Sequence, residues 1–151
     1  MALAHRFVGV GKVYVVDPWS ASASAQGQEG PNAEWWNDQA KHDLAYQNFK
    51  DTIRVLGLED WVVVQRATSD EATLPPLASG LTVIDSNHGP QAIKDVEKWA
   101  PHVALSGLVY LDDIAWGEGH VEAAAKRLIQ LGFAPLYQQD TGMFFQKLSH
   151  G

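Results

Sequence analysis

The chain is 151 residues long, enough for one domain to bury a core without staples. Hydrophobic residues make up 46% of it and six residues are tryptophan, which suits a packed fold and argues against disorder. The formal charge is −7 with no cluster of Lys or Arg, and cysteine is absent; this speaks against nucleic-acid and anionic-membrane partners and excludes disulfides and thiolate metal sites.

Val13-Tyr-Val-Val16 is a β-branched and aromatic run that reads as a buried strand, stopped at Asp17-Pro18. From Ser20 to Asn32 the chain is small, polar and Gly-rich, and the segment 20–33 is expected to be a mobile loop. A long helix is predicted over Glu34 to Leu56, with Ala45, Phe49, Ile53 and Leu56 on one face and Gly57 as its stop. Trp61 to Gln65 is the next strand, and Thr68-Ser-Asp-Glu71 has the capping chemistry of a helix start. Pro75-Pro76 ends that short helix.

Leu81 to Ile84 is a third strand, ending at Asp85. Pro90 opens a helix whose stripe is Ile93, Val96, Ala100 and Val103. Gly107 to Leu111 is a fourth strand, followed by Asp112-Asp113, and a helix from about Gly119 to Leu131 carries Val121, Ala124, Leu128 and Leu131 inward. Phe133 to Gln138 and Thr141 to Lys147 are strands joined too tightly for a crossover, so they must be antiparallel. Alternating strands and helices with near-continuous apolar strands give an α/β fold, a mostly parallel sheet ending in an antiparallel hairpin. The expectation is a single domain over 1–151, without internal repeats.

Acidic residues stand at the carboxyl ends of three of these strands: Asp17, Asp85 and the pair Asp112-Asp113. Ligands of open α/β sheets bind beyond those ends. A lone strand-end Asp commonly caps a helix or satisfies turn amides. Consecutive aspartates plus a third from a neighbouring strand are harder to explain so, because crowded like charges oppose folding unless a cation lies between them. With oxygen ligands that cation would be magnesium, calcium or manganese. A lone loop histidine such as His88, three residues beyond Asp85, is more often solvated or structural than catalytic, yet near neutrality it could accept a proton from a substrate hydroxyl held on the metal.

Three segments together carry a family resemblance: Gly-Lys-Val-Tyr-Val-Val-Asp-Pro-Trp (11–19), Val-Ile-Asp-Ser-Asn-His (83–88) and Gly-Leu-Val-Tyr-Leu-Asp-Asp (107–113). They resemble the class I S-adenosylmethionine-dependent methyltransferases, with their Rossmann-like sheet. The branch they look closest to includes macrocin and macrolide-sugar O-methyltransferases and cephalosporin-hydroxylase-like proteins. Lys94-Asp95-Val96 and Trp99-Ala-Pro101 also look like the family's helix before its Gly-rich strand. The resemblance implies that Asp17 bonds the ribose hydroxyls of S-adenosylmethionine, and that Thr68 and Ser69 lie beside the adenine, with Ala67 where glycine is usual. It also implies that Asp85, Asp112 and Asp113 hold Mg2+ or another hard divalent cation. Asp85 counts among the cofactor-contacting residues as well, and His88 is the general base. The activity implied is O-methyl transfer to a small hydroxylated substrate such as a sugar or polyketide.

The family's glycine-rich turn after its first strand has no counterpart, since Gly9-Val-Gly11 directly precedes the strand ending in Asp17. The chain is therefore expected to begin within the helix after that strand, the first strand itself missing. A sheet lacking it leaves open edges, so the expected assembly is a homo-oligomer. A competing reading is a non-catalytic methyltransferase-like remnant serving as an oligomerising or binding module. A metal-dependent hydrolase ranks last, for want of a nucleophile. Trp35, Trp36 and Trp116 are candidates to line a substrate pocket or cover a lid, against the commoner role of partial core. His42, His102, His120 and His150 read as surface or chain-end residues. No apolar run is long enough to span a bilayer, and the first residues are too weakly apolar for a secretory signal. The cytoplasm is the default location.

Overall fold

The computed structural model describes residues 2, 9, 11–26, 29–115 and 119–149. They divide into two compact units, Met1–Thr73 and Leu74–Gly151, with the division just ahead of Pro75-Pro76. Both are α/β, with parallel pairing in each and an antiparallel pair at the end of the second, as expected for a Rossmann-like methyltransferase sheet. Among the described residues no helix is long and apolar enough to cross a membrane.

The first unit holds β1 (Val13–Val16), α1 (Ala21–Ser24), α2 (Gly30–Trp36), α3 (Gln39–Val55) and β2 (Val62–Gln65). β1 and β2 pair in parallel, Val13 opposite Val62 through Val16 opposite Gln65. The segment 20–33, expected as a loop, contains α1 and the start of α2, with Gly27 and Gln28 outside the described residues. The long helix predicted from Glu34 is interrupted at Asn37-Asp38. Asp38 takes extended backbone angles, and its carboxylate accepts the Ala40 and Lys41 amides at 3.1 and 3.4 Å. That is an N-cap, and it restarts the helix.

The inward line of α3 is Tyr46, Phe49 and Ile53. Ala45 is exposed and Leu56 lies beyond the helix end, so the predicted stripe was misplaced by one residue at its start. Trp19 is the aromatic anchor of this unit. It is 8% exposed, with ring centroids 4.8 Å from Tyr46 and 5.5 Å from Phe49. The helix predicted at Thr68 amounts to one turn, closed by the Glu71 and Ala72 amides on the Thr68 carbonyl.

The second unit holds β3 (Ser79–Ile84), α4 (Gln91–Trp99), β4 (Val103–Leu111), α5 (His120–Gln130), β5 (Phe133–Gln139) and β6 (Gly142–Lys147). Its sheet has the order β3-β4-β6-β5. β3 and β4 are parallel, and β6 runs antiparallel to both β4 and β5. Val103 was predicted on the helical stripe and instead begins β4, because a short 3-10 turn over Ala100–His102 ends the helix.

One face of the sheet is buried by Val109, Leu111, Phe145 and Ile84 against Val96, Val121, Ala124 and Leu128 from the two helices. Burying such side chains stabilises by about 1.5–3 kcal/mol each. Lys147 is buried too. Its ammonium donates to the Pro101 and Val103 carbonyls at 2.9 and 2.8 Å, satisfying acceptors where the 3-10 turn meets β4.

Candidate active site

β3 and β4 end side by side. Ile84 pairs with Leu111, and the Asp112 amide donates to the Ile84 carbonyl at 3.1 Å. This register brings Asp85 and Asp112 to the same edge, where parallel strands leave their ligand crevice. Asp85, Ser86, His88 and Asp112 line a seam there over Ile84, Leu111, Ala92 and Val121, closed too tightly to hold a water molecule. The Ser86 hydroxyl is buried in it with no hydrogen-bond partner among the described residues.

Asp113 follows with φ of 48°, a left-handed conformation that a residue with a Cβ rarely adopts. Its Oδ2 lies 3.2 Å from His88 Nε2, both side chains being roughly three-quarters covered. Asp112 Oδ1 accepts the Asp113 amide at 2.9 Å, the Tyr110 hydroxyl at 3.1 Å and the Thr141 hydroxyl at 3.4 Å. Lost hydration raises the Asp85 pKa above the ordinary aspartate value although the residue is exposed overall. The Asp112 carboxylate adds to the rise, His88 partly offsets it, and Asp113 adds a little more. Burial first, and then the bond to Asp112, raise the Tyr110 phenol.

The predicted set Asp85, His88, Asp112 and Asp113 is thus brought together. It is not arranged as a metal centre. Among the described residues no group of three His, Asp or Glu side chains is placed to hold an ion. Asp112 Oδ1 takes hydrogen bonds from three donors and Asp113 Oδ2 faces an imidazole, which explains the lack of convergence. The residues as placed do not fit a bound divalent cation.

In the first unit, Asp17 follows β1 and its amide donates to the Gln65 carbonyl at 3.2 Å. Asp17 is exposed, and its Oδ1 accepts the Trp19 amide at 2.5 Å. A cleft of about 430 Å³ opens at this carboxyl edge, lined by Pro18, Ser20, Ser22, Arg66, Ala67 and Thr68 among others. Its size falls within the range of small-molecule sites. Thr68 also forms a capping box with Glu71. Thr68 Oγ1 donates to Glu71 Oε2 at 2.8 Å and the Thr68 amide to the same oxygen at 3.2 Å, which lowers the Glu71 pKa. Ser69 lies next in that turn.

Arg66 was not singled out in the sequence. Its guanidinium donates to the Trp19 carbonyl at 3.0 Å, pairs with Asp43 and covers the Tyr46 ring. It thereby fixes the Pro18-Trp19 wall of the cleft.

The family model for a methyltransferase domain matches residues 1–114, three-quarters of the chain. The chain belongs to the methyltransferase domain family. No curated protein matches it.

A methyltransferase domain uses S-adenosylmethionine as methyl donor, and the matched span contains Asp17, Thr68, Ser69, Asp85, His88, Asp112 and Asp113. The cleft at the β1–β2 edge is polar, with the Ser20, Ser22 and Thr68 side chains in its lining. Other residues near the strand ends that strand patterning did not flag are Tyr110, Thr141 and Ser86. Tyr110 reads as an ordinary strand aromatic, and Thr141 lies in a turn far from Asp112 in sequence. Of the tryptophan candidates, Trp35 and Trp36 are 58% and 39% exposed and pack edge-on against each other, while Trp116 lies outside the described residues. His42 and His102 each bond a main-chain carbonyl, of Trp36 and Leu77 respectively, at 2.8 Å. His150 also lies outside the described residues.

Proposed function

We propose that this domain transfers a methyl group from S-adenosylmethionine to a hydroxyl oxygen of a small molecule, with His88 taking the hydroxyl proton. The observation that carries the reading is the 3.2 Å approach of Asp113 Oδ2 to His88 Nε2. The Asp113 carboxylate lies close enough to the ring to act on it electrostatically. It stabilises the imidazolium that forms when the proton arrives.

The bound donor supplies an electrophilic methyl carbon on a sulfonium and leaves as the neutral thioether. Asp17 holds the ribose hydroxyls, and the turn at Thr68 and Ser69 sits against the adenine. His88 accepts the acceptor's proton as its oxygen bonds to the methyl carbon, so charge and protons balance. The macrocin and macrolide-sugar branch suggests a sugar or polyketide hydroxyl as the acceptor.

Divalent-ion dependence is a second reading. It rests on the family resemblance and on the Asp112 carboxylate, which after lost hydration adds to the rise of the Asp85 pKa, and it requires Asp112 and Asp113 to leave the placement described above. No step above passes through an ion.

Calorimetry with S-adenosylmethionine, with and without magnesium, tests both readings, followed by methyl transfer from labelled donor to a panel of hydroxylated acceptors. Saturable donor binding and label in the acceptor are the expected results. Absent or millimolar donor binding would instead support a non-catalytic module. Binding and transfer that do not respond to magnesium or a chelator would remove the metal reading alone.

A further inference from the structure

We propose that the β5–β6 turn is a positioning clamp for the acid–base pair: Thr141 and Tyr110 hold the Asp112–Ile114 loop in the backbone shape that aims Asp113 at His88. The inference rests on the reading of His88 and Asp113 as that pair.

The starting point is Asp113 itself, whose positive φ is uncommon outside glycine, although Asp and Asn adopt it more readily than other residues. A shape of this kind persists where its surroundings over-determine it. Here the loop is tied on both sides. Ahead of Asp113, the Asp112 amide is bonded to Ile84 of β3. Behind it, the Ile114 amide donates to the Thr141 carbonyl at 2.9 Å. The Asp112 carboxylate closes the loop on itself through the Asp113 amide, and the Tyr110 and Thr141 hydroxyls keep that carboxylate in place.

Thr141 therefore grips the loop twice, by its carbonyl and by its hydroxyl. The Tyr110 ring is steadied by Phe144, 4.8 Å away across the β4–β6 ladder. Gly142 clears the space that the ring occupies, since a Cβ there would overlap the Tyr110 hydroxyl and ring carbons. Released from these ties, Asp113 relaxes to a commoner backbone region and its carboxylate swings away from the imidazole. Tyr110 and Thr141 are positioning residues: they act through Asp113, not on the substrate.

The test is nuclear magnetic resonance of the imidazole nitrogens in the full chain, with the His88 signals assigned by their loss in His88→Gln. Asp113→Asn gives the reference displacement of the Nε2 resonance. The double variant Tyr110→Phe/Thr141→Val is expected to reproduce most of that displacement, while Thr141→Ser keeps the parent signal. Thermal unfolding of each variant shows whether the fold is retained, and if the double variant does not fold, Thr141→Val alone is judged by the same comparison. A displacement in Asp113→Asn with none in the clamp variants overturns the clamp and leaves the pair standing. No displacement in Asp113→Asn overturns the pair, and the clamp with it.

Discussion

Asp113 and His88 leave the ends of adjacent parallel strands and meet with Oδ2 3.2 Å from Nε2. The pairing depends on register. Ile84 opposite Leu111 sets the two strand ends level, and the left-handed turn at Asp113 points its carboxylate back toward the loop after β3.

A base in this position is expected to matter for turnover far more than for donor binding. His88→Ala should lower the methyl-transfer rate by about 10²–10⁴-fold, the usual contribution of a positioned base. The affinity for S-adenosylmethionine, read by calorimetry, should stay within a few-fold of the parent. Equal losses in rate and affinity would assign His88 a structural role.

Asp85 offers a test that needs no substrate. Its folded-state pKa is raised above the unfolded value, first by lost hydration and then by the Asp112 carboxylate. Folding therefore favours its protonated form. That stability is fully present below the ordinary value of about 3.9 and is lost as pH rises through the folded value. Asp85→Asn should melt higher than the parent near neutrality, with the difference shrinking on acidification. A lower melting temperature near neutrality would mean that the charged carboxylate makes a stabilising contact.

Thr68 was expected to contact the cofactor, and the structure also gives it a capping role. Thr68→Ala should cost about 1 kcal/mol in urea unfolding through loss of the capping box with Glu71. If Thr68 also lies against the adenine, donor affinity falls beyond what Glu71→Gln produces through the same turn. Matching affinities in the two variants would leave Thr68 as a cap and nothing more.

Lys147 contributes to the fold through hydrogen bonds from a buried position. Lys147→Met keeps the side-chain length and deletes both donors to the Pro101 and Val103 carbonyls. Leaving buried acceptors unsatisfied costs about 1–3 kcal/mol, and that loss should appear in urea unfolding. A neutral substitution would mean that water replaces the ammonium.

The strands were readable from local pattern because continuous β-branched runs such as Val13–Val16 and Val62–Gln65 admit few other uses. Helix breaks were harder to see. The Asp38 cap competes with good helix formers on either side, and Val103 fits a helical stripe and a buried strand equally well. The candidate site was half legible. Asp85, His88, Asp112 and Asp113 stand at strand ends that the order of elements already marks. Thr141 and Arg66 carry no local signal, since each acquires its role from a partner that only folding brings near, and Tyr110, which bonds Asp112 two residues on, is hidden by reading as an ordinary strand aromatic.

By itself the sequence determined the α/β class, the antiparallel close and the set of ionisable groups at the strand ends. Those follow from periodicity, turn length and residue type, which are local properties. Tertiary structure alone decided where the carboxylates point. Asp112 Oδ1 accepts three donors and Asp113 Oδ2 lies 3.2 Å from His88 Nε2, where strand-end position had suggested a cage of metal ligands. Thr141 and His88 lie far along the chain from the aspartates they meet, and no spacing rule encodes those contacts.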